Sequence, residues 1–325
     1  MKKSVSVGIL MFSCFFMKAQ DPAFSQFYAC PVYINPALTG NVEGARVGIN
    51  YRNQWPGISA FNTYSITYEQ NISSINSGVG IQVMGYQSDA IINNYYAMAS
   101  YSYDLQVARD FNIRAGIAGG VKMNTLNANN IVLPDGTSGT TSEGIESYND
   151  IVSDFALGLY CSYSNMVYGG FSASHVTMPR EGVYFYGDDG LEQSSDRLAI
   201  KYICHAGGII PLDRSGDFYI SPNVLFQKQS EYNQINIGVY SCMKLLTVGL
   251  WYKSNIWFNN TNTHVICGLV GVTYNNFSVG YSYDFNFMGI GTSSHGAHEI
   301  SVAIKFSTNG YQQKRVIGAI KSPMF

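Results

Sequence analysis

Apolar and polar residues alternate with a period of two in run after run from residue 45 onward. Val47, Ile49 and Tyr51 alternate with Arg46, Gly48, Asn50 and Arg52, and Tyr64, Ile66 and Tyr68 with Ser65, Thr67 and Glu69. Further on, Phe277, Val279, Tyr281, Tyr283 and Phe285 alternate with Ser278, Gly280, Ser282 and Asp284, and Ile300, Val302, Ile304 and Phe306 with Glu299, Ser301, Ala303 and Lys305. Successive side chains of a strand point to opposite faces, so each run predicts a strand with one apolar face. Counted this way the chain holds about 14 strands. They begin near residues 45, 60, 78, 92, 111, 153, 166, 198, 216, 231, 244, 262, 275 and 297. Most run for about 10–13 residues, beyond the ~5–6 of a soluble strand and enough for the ~9–11 that cross a bilayer at a tilt.

The connections sort by parity. The even-numbered ones are mostly tight: Ser73–Ser77, Val107–Asp110, Ser164-Asn165, Pro211–Ser215, Cys242-Met243 and Asn275-Asn276. The long ones, 125–152, 177–197, 255–262 and 286–296, are all odd-numbered, while the first and third, 53–59 and 88–91, are shorter. A soluble sandwich has no reason to divide its loops so. An outer-membrane barrel does, with short periplasmic turns and long outer loops. The fold class expected is therefore all-β, a transmembrane antiparallel outer-membrane β-barrel. An even strand count puts both chain ends in the periplasm.

The polar face carries Arg46, Arg52, Glu69, Asp104, Arg114, Lys122, Asp154, Lys201, Asp284, Glu299 and Lys305, with both signs in near balance. Charges are tolerated in a lumen and destabilise the lipid face at mid-membrane, which assigns this face to the lumen. Tyr95, Tyr101, Tyr103, Trp251, Tyr281, Tyr283, Phe285 and Phe306 are expected in aromatic girdles at the water–lipid boundary. Composition agrees: only 12% of residues are charged, with 25 Tyr, 18 Phe and 33 Gly. A net charge of −2 lacks the basic excess of a nucleic-acid binder, so no nucleic-acid partner is expected.

Lys2 and Lys3, the apolar stretch from Val5 to Met17, and Lys18-Ala19-Gln20 read as an export signal over residues 1–19, cleaved near Ala19 or Gln20. The apolar run, about 13 residues, is too short for a spanning helix. Cys14 is either a lipidation cysteine or an ordinary member of that run. The later cysteines, Cys30, Cys161, Cys204, Cys242 and Cys267, form no CxxC pair and read as small apolar fillers.

The segment ahead of the first strand has its own motif. Asp21-Pro22-Ala23-Phe24-Ser25-Gln26-Phe27-Tyr28 leads into Asn35-Pro36-Ala37-Leu38-Thr39-Gly40, and Tyr51-Arg52-Asn53-Gln54-Trp55-Pro56-Gly57 follows at the first hairpin. Asn-Pro and Thr-Gly are turn dipeptides, so residues 20–44 read as ordered but irregular. On the periplasmic side they would plug the lumen or dock on a partner. Trp55 is either an interface anchor or a contact residue. These motifs, the strand pattern and the tail Ile320-Lys321-Ser322-Pro323-Met324-Phe325 closely resemble the PorP/SprF family of the Bacteroidetes type IX secretion and gliding machinery. Cys30 before Pro31 and Ser322 before Pro323 depart from the family's usual residues.

The resemblance implies an outer-membrane component that supports secretion or surface anchoring of large cargo, such as adhesins with type B C-terminal sorting domains. It implies a domain order of signal (1–19), periplasmic N-terminal segment (20–44), barrel (45–307) and periplasmic C-terminal tail (308–325). Partners would be the secreted cargo, periplasmic type IX components and outer-membrane lipid. The long loops 125–152 and 177–197 are expected to grip cargo. An enzyme is not expected, and no catalytic, cofactor-binding or metal-binding residue is assigned. Of the five histidines, His175, His205, His264, His295 and His298, Ser294-His295 lies in a loop, and His298 and Glu299 alternate faces. Gly119-Gly120 and Gly169-Gly170 sit inside strands, and Gly187-Asp188-Asp189-Gly190 reads as a solvated acidic turn. The alternative to the secretion reading is a passive porin or hydrophobic-solute channel.

Overall fold

The computed structural model describes residues 21–57, 61–88, 91–127, 148–164, 166–180, 184–187, 190–193, 197–215, 217–255, 263–287 and 292–307. The signal, the tail beyond 307 and the tip residues Asp188 and Asp189 lie outside them. Fourteen antiparallel strands close one barrel. They are β1 (Ala45–Gln54), β2 (Phe61–Ile72), β3 (Ser77–Ser88), β4 (Ile92–Ala108), β5 (Phe111–Leu126), β6 (Tyr148–Tyr163), β7 (Val167–Ser174), β8 (Lys201–Gly208), β9 (Phe218–Gln229), β10 (Tyr232–Met243), β11 (Leu246–Asn255), β12 (His264–Tyr274), β13 (Phe277–Asn286) and β14 (Ala297–Phe306). Each pairs with its neighbours in sequence, and β1 pairs with β14 from Ala45↔Phe306 to Gln54↔Ala297, which closes the ring. Closure leaves no unpaired sheet edge facing lipid along the seam, the condition a β structure must meet to span a bilayer.

The period-two pattern sets the wall. Ile49, Ile66, Ile117, Leu157, Leu250, Val270 and Ile300 point outward, while Arg46, Arg52, Glu69, Arg114, Lys122, Asp154, Lys201, Asp284 and Glu299 are buried inside. Tyr95, Tyr101, Tyr103, Tyr281, Phe285 and Phe306 face outward as expected. Trp251 does not: it is 1% exposed and points into the lumen. Its neighbours Leu250 and Tyr252 take the outward positions, so alternation turns Trp251 inward with Lys253.

The connections 73–76, 109–110, 164–166, 209–217, 244–245 and 275–276 lie at one end of the barrel, here the turn end. The other end, the loop end, holds 55–60, 89–91, 127–147, 175–200, 230–231, 256–263 and 287–296. The three longest connections, 127–147, 175–200 and 287–296, fall on the loop end, although 230–231 there is tight and 209–217 at the turn end is longer than 256–263. The 175–200 excursion carries a small hairpin, Tyr184–Gly187 with Gly190–Gln193.

Leu250 is central in β11 and 59% exposed. Leu250→Arg is expected to destabilise the barrel by about 2–4 kcal/mol, the penalty of a cation at mid-wall. Loss of the compact, heat-modifiable band on unboiled gels checks it; an unchanged band would place β11 outside lipid.

The plugged lumen as candidate functional site

Residues 21–44 lie inside the barrel and run its length. Asp21 sits at the loop end, where its N–H donates to Gln229, the last residue of β9, at 3.1 Å. Gly44 sits at the turn end, where its carbonyl accepts from Asn71 at 2.8 Å. The segment assigned to the periplasm is thus a lumen plug, one of the two uses its motif suggested. The reason is chemical. Phe24, Phe27, Tyr28, Ile34 and Leu38 need cover, and the inward charges of the wall need partners; each supplies the other.

Short turns fold the plug. Phe27–Ala29 is a 3₁₀ turn and Pro31–Ile34 one helical turn with Pro31 at its start. Pro36–Leu38 is a second 3₁₀ turn, capped by the Asn35 side chain, which accepts from Ala37 N–H at 2.9 Å. Proline suits such first-turn positions because its missing N–H would have had no partner there. The Asn35 amide also donates to the carbonyls of Leu159 on β6 (2.9 Å) and Phe171 on β7 (3.3 Å). Gly116 and Gly158 leave the room: a Cβ on either would collide with the Asn35–Ala37 turn.

Three polar clusters fasten this chain. The first joins Ser25 and Gln26 to the closing seam. Ser25 N–H and Gln26 N–H donate to the two Glu299 oxygens at 2.7 and 3.0 Å, and Ser25 Oγ donates to Asp284 at 2.7 Å. Arg52 bridges Asp284 (2.8 Å) and Glu299 (3.1 Å), and Lys253 reaches Asp284 at 3.0 Å. Two cations face two carboxylates, so the buried cluster is neutral. The second holds the base. Gly40 N–H donates to Glu69 at 2.8 Å, Glu69 pairs with Arg46 at 2.6 Å, and Arg114 donates to Asn41 Oδ1 and Thr39 O, both at 2.9 Å.

The third cluster holds the loop end. His175 contacts Asp154 through Nδ1 and Asp21 through Nε2, both at 2.6 Å. Lys201 lies 3.7 Å from Asp21, and Tyr96 OH donates to it at 3.1 Å. Burial works against a charged His175, but the adjacent carboxylates outweigh it and hold its pKa up at about 9. Between the clusters Phe27 meets Trp251 edge-on at 4.6 Å, and Tyr28 OH donates to Asn223 at 2.7 Å. A small cleft of about 50 Å³ beside the plug is lined by Val32, Tyr33, Met84, Tyr96 and Met98, with Asp21, His175 and Lys201 at its polar end.

The histidines divide. His175 and His205 face the plug, the latter with Nε2 3.3 Å from the Asn35 amide nitrogen. His264 and His298 sit on the outer wall beside the Tyr252 and Tyr281 hydroxyls, at 2.6 and 2.8 Å. Ser294 Oγ accepts from the Asn286 amide at 3.0 Å. Trp55 lies at the loop end, packs its ring edge-on against Phe61 and donates its backbone N–H to Gly296 O at 2.8 Å, pinning the first connection to the last. Sequence reasoning placed the wall charges in the lumen without Lys253, His175 or the plug partners. The parity of Lys253 with Trp251 was the signal available.

Among solved structures the CymD monoaromatic hydrocarbon channel aligns over 90% of this chain and 96% of its own, at 11% identity and TM-score 0.55. The P. putida toluene transporter TodX aligns over 85% and 93%, at 8% identity and TM-score 0.54. The Ralstonia pickettii toluene transporter TbuX aligns over 86% and 94%, at 9% identity and TM-score 0.51. At these identities the likeness is one of fold, an outer-membrane barrel. No curated protein matches the sequence. The sequence profile of the type IX secretion system membrane proteins PorP/SprF matches residues 16–304, and the chain belongs to that family.

Proposed function

We propose that this protein supports secretion or surface anchoring of large cargo, such as adhesins carrying type B C-terminal sorting domains. The observation that carries the reading is the pairing of an occupied lumen with a collection of long connections at one end. A wall whose interior is filled by its own chain is suited to hold and present, and its contact surface is then the loop end. By the short-turn, long-loop rule that end faces outward and the turn end faces the periplasm. Residues 1–19 act as the removable export signal. The 308–325 tail meets periplasmic components of the machinery, and the 127–147 and 175–200 connections grip cargo.

Shortening both connections to glycine-serine turns is expected to release cargo from the cell surface while the barrel stays in the outer membrane. Retention of cargo at the surface by the shortened protein would overturn the loop assignment. Surface proteolysis on intact cells checks the topology, with cuts expected at the loop end alone.

One observation favours a second reading. The cleft of Val32, Tyr33, Met84, Tyr96 and Met98 is apolar, and the proteins of similar fold are named as monoaromatic hydrocarbon or toluene carriers. Toluene uptake that depends on Met84 and Met98 would support a solute channel over a secretion component.

A further inference from the structure

One wall side chain secures the loop end of the plug and also begins the longest described excursion of that end. His175 directly follows β7 and has φ +60°, a left-handed backbone that non-glycine residues adopt at some strain. With a carboxylate on each ring nitrogen, both nitrogens act as N–H donors, which makes the ring an imidazolium. One carboxylate, Asp154, belongs to the wall; the other, Asp21, belongs to the plug.

The chain leaves the wall at this residue. Val176 N–H donates to Phe155 O at 3.1 Å and Met178 N–H turns back to His175 O at 2.9 Å. β6 pairs with β5 from Tyr148 onward but with β7 only from Ala156 onward. The stem 175–180 therefore starts beside a stretch of β6 that β7 does not pair, where Val176 N–H reaches Phe155 O and Thr177 Oγ1 lies 3.5 Å from Ser153 O. Thr177, on the stem, is exposed. At the opposite end Gly40 and Gly44, with φ +65° and +80°, join the plug to β1, and Asn71 holds both, its amide donating to Gly40 O at 3.1 Å and its backbone N–H to Gly44 O at 2.8 Å.

We propose that His175 is a latch between the 175–180 stem and the loop end of the plug: a load on the stem draws the ring away from Asp21, and the plug chain ahead of the Ser25–Gln26 anchor swings out, uncovers Cys30 in the cluster it forms with Phe24 and opens the lumen at that end. The device is a property of the barrel itself and does not depend on the secretion reading; any load at the loop end suffices.

Purified full-length protein in planar bilayers tests it. Cys30 lies in the plug, fully buried, and serves as the reporter once Cys161 and Cys204 on the outer wall are changed to alanine. Folded protein is selected by its heat-modifiable band. The parent is expected to be closed, with the Cys30 peptide protected from maleimide. His175→Ala and Asp21→Ala should each open a conductance and speed Cys30 labelling by about tenfold or more, because each removes the contact that holds the start of the plug to the stem and leaves a buried charge with one partner fewer. The double variant should do no more than either alone, as expected of one shared contact. His175→Gln replaces His175→Ala if the latter does not fold.

The coupling has its own arm. A Thr177→Cys variant with His175 intact, modified from the loop side by a bulky impermeant maleimide, should open while unmodified protein stays closed. A closed lumen and protected Cys30 in the His175 and Asp21 variants would overturn the latch. Opening in those variants with no response to stem modification would overturn the link to the excursion.

Discussion

Arg52→Met is expected to be the most damaging single change in the lumen. Arg52 is paired with both Asp284 and Glu299, and all three are buried. Its removal leaves two carboxylates to Lys253 alone and strips Ser25 of a donor. Breaking a buried pair from one side typically costs about 3–5 kcal/mol, because the remaining charge keeps its desolvation penalty and loses its compensation. The loss should appear as a lower unfolding temperature and as faster Cys30 labelling. The second replacement Glu299→Gln should recover part of it by restoring charge balance. Unaltered stability in Arg52→Met would mean that the cluster is hydrated rather than closed.

The second large effect is steric. Gly116→Val should expel the Asn35–Ala37 turn, since its Cβ would occupy the place of Ala37 N and the Pro36 carbonyl carbon. Both sides of that contact are backbone, so no rotamer change relieves it, and overpacking of this kind costs roughly 1–3 kcal/mol or more. Gly268→Ala is the control: it faces outward in β12 and a Cβ there meets nothing within 4 Å. Conductance and Cys30 labelling are expected to rise in Gly116→Val and stay at parent values in Gly268→Ala. Equal behaviour of the two would show that the turn does not seat against β5.

The wall was legible in the sequence because its information is local. Alternation along one strand says which residues face lipid, and Glu69, Arg114 and Glu299 fall inward by that rule. The same rule, applied strictly, turns Trp251 inward beside Lys253; reading it as an aromatic for the girdle let residue type override register. The plug was half legible. Asn35-Pro36 and Gly40 announced turns, but nothing nearby announced a destination. Its contacts join residues as far apart as Gln26 and Ser301, 275 positions along the chain, and no short pattern encodes such a meeting. His175 was invisible for the same reason, since Asp21 and Asp154 come to it from two other segments.

The anchoring of Ser25 and Gln26 across the seam makes the earliest part of the barrel segment answer to the latest. Asp284 and Glu299 come from β13 and β14, whereas Arg52 comes from β1. A chain cut short before β13 keeps Arg52 and Lys253 but has neither carboxylate to receive them, so it can neither close its ring nor settle its own beginning. Completion of synthesis is thereby written into the folded state as a chemical condition. In a fragment Arg52 and Lys253 lack the carboxylates that neutralise them and Ser25 and Gln26 lack their anchor; in the whole chain both conditions are met together.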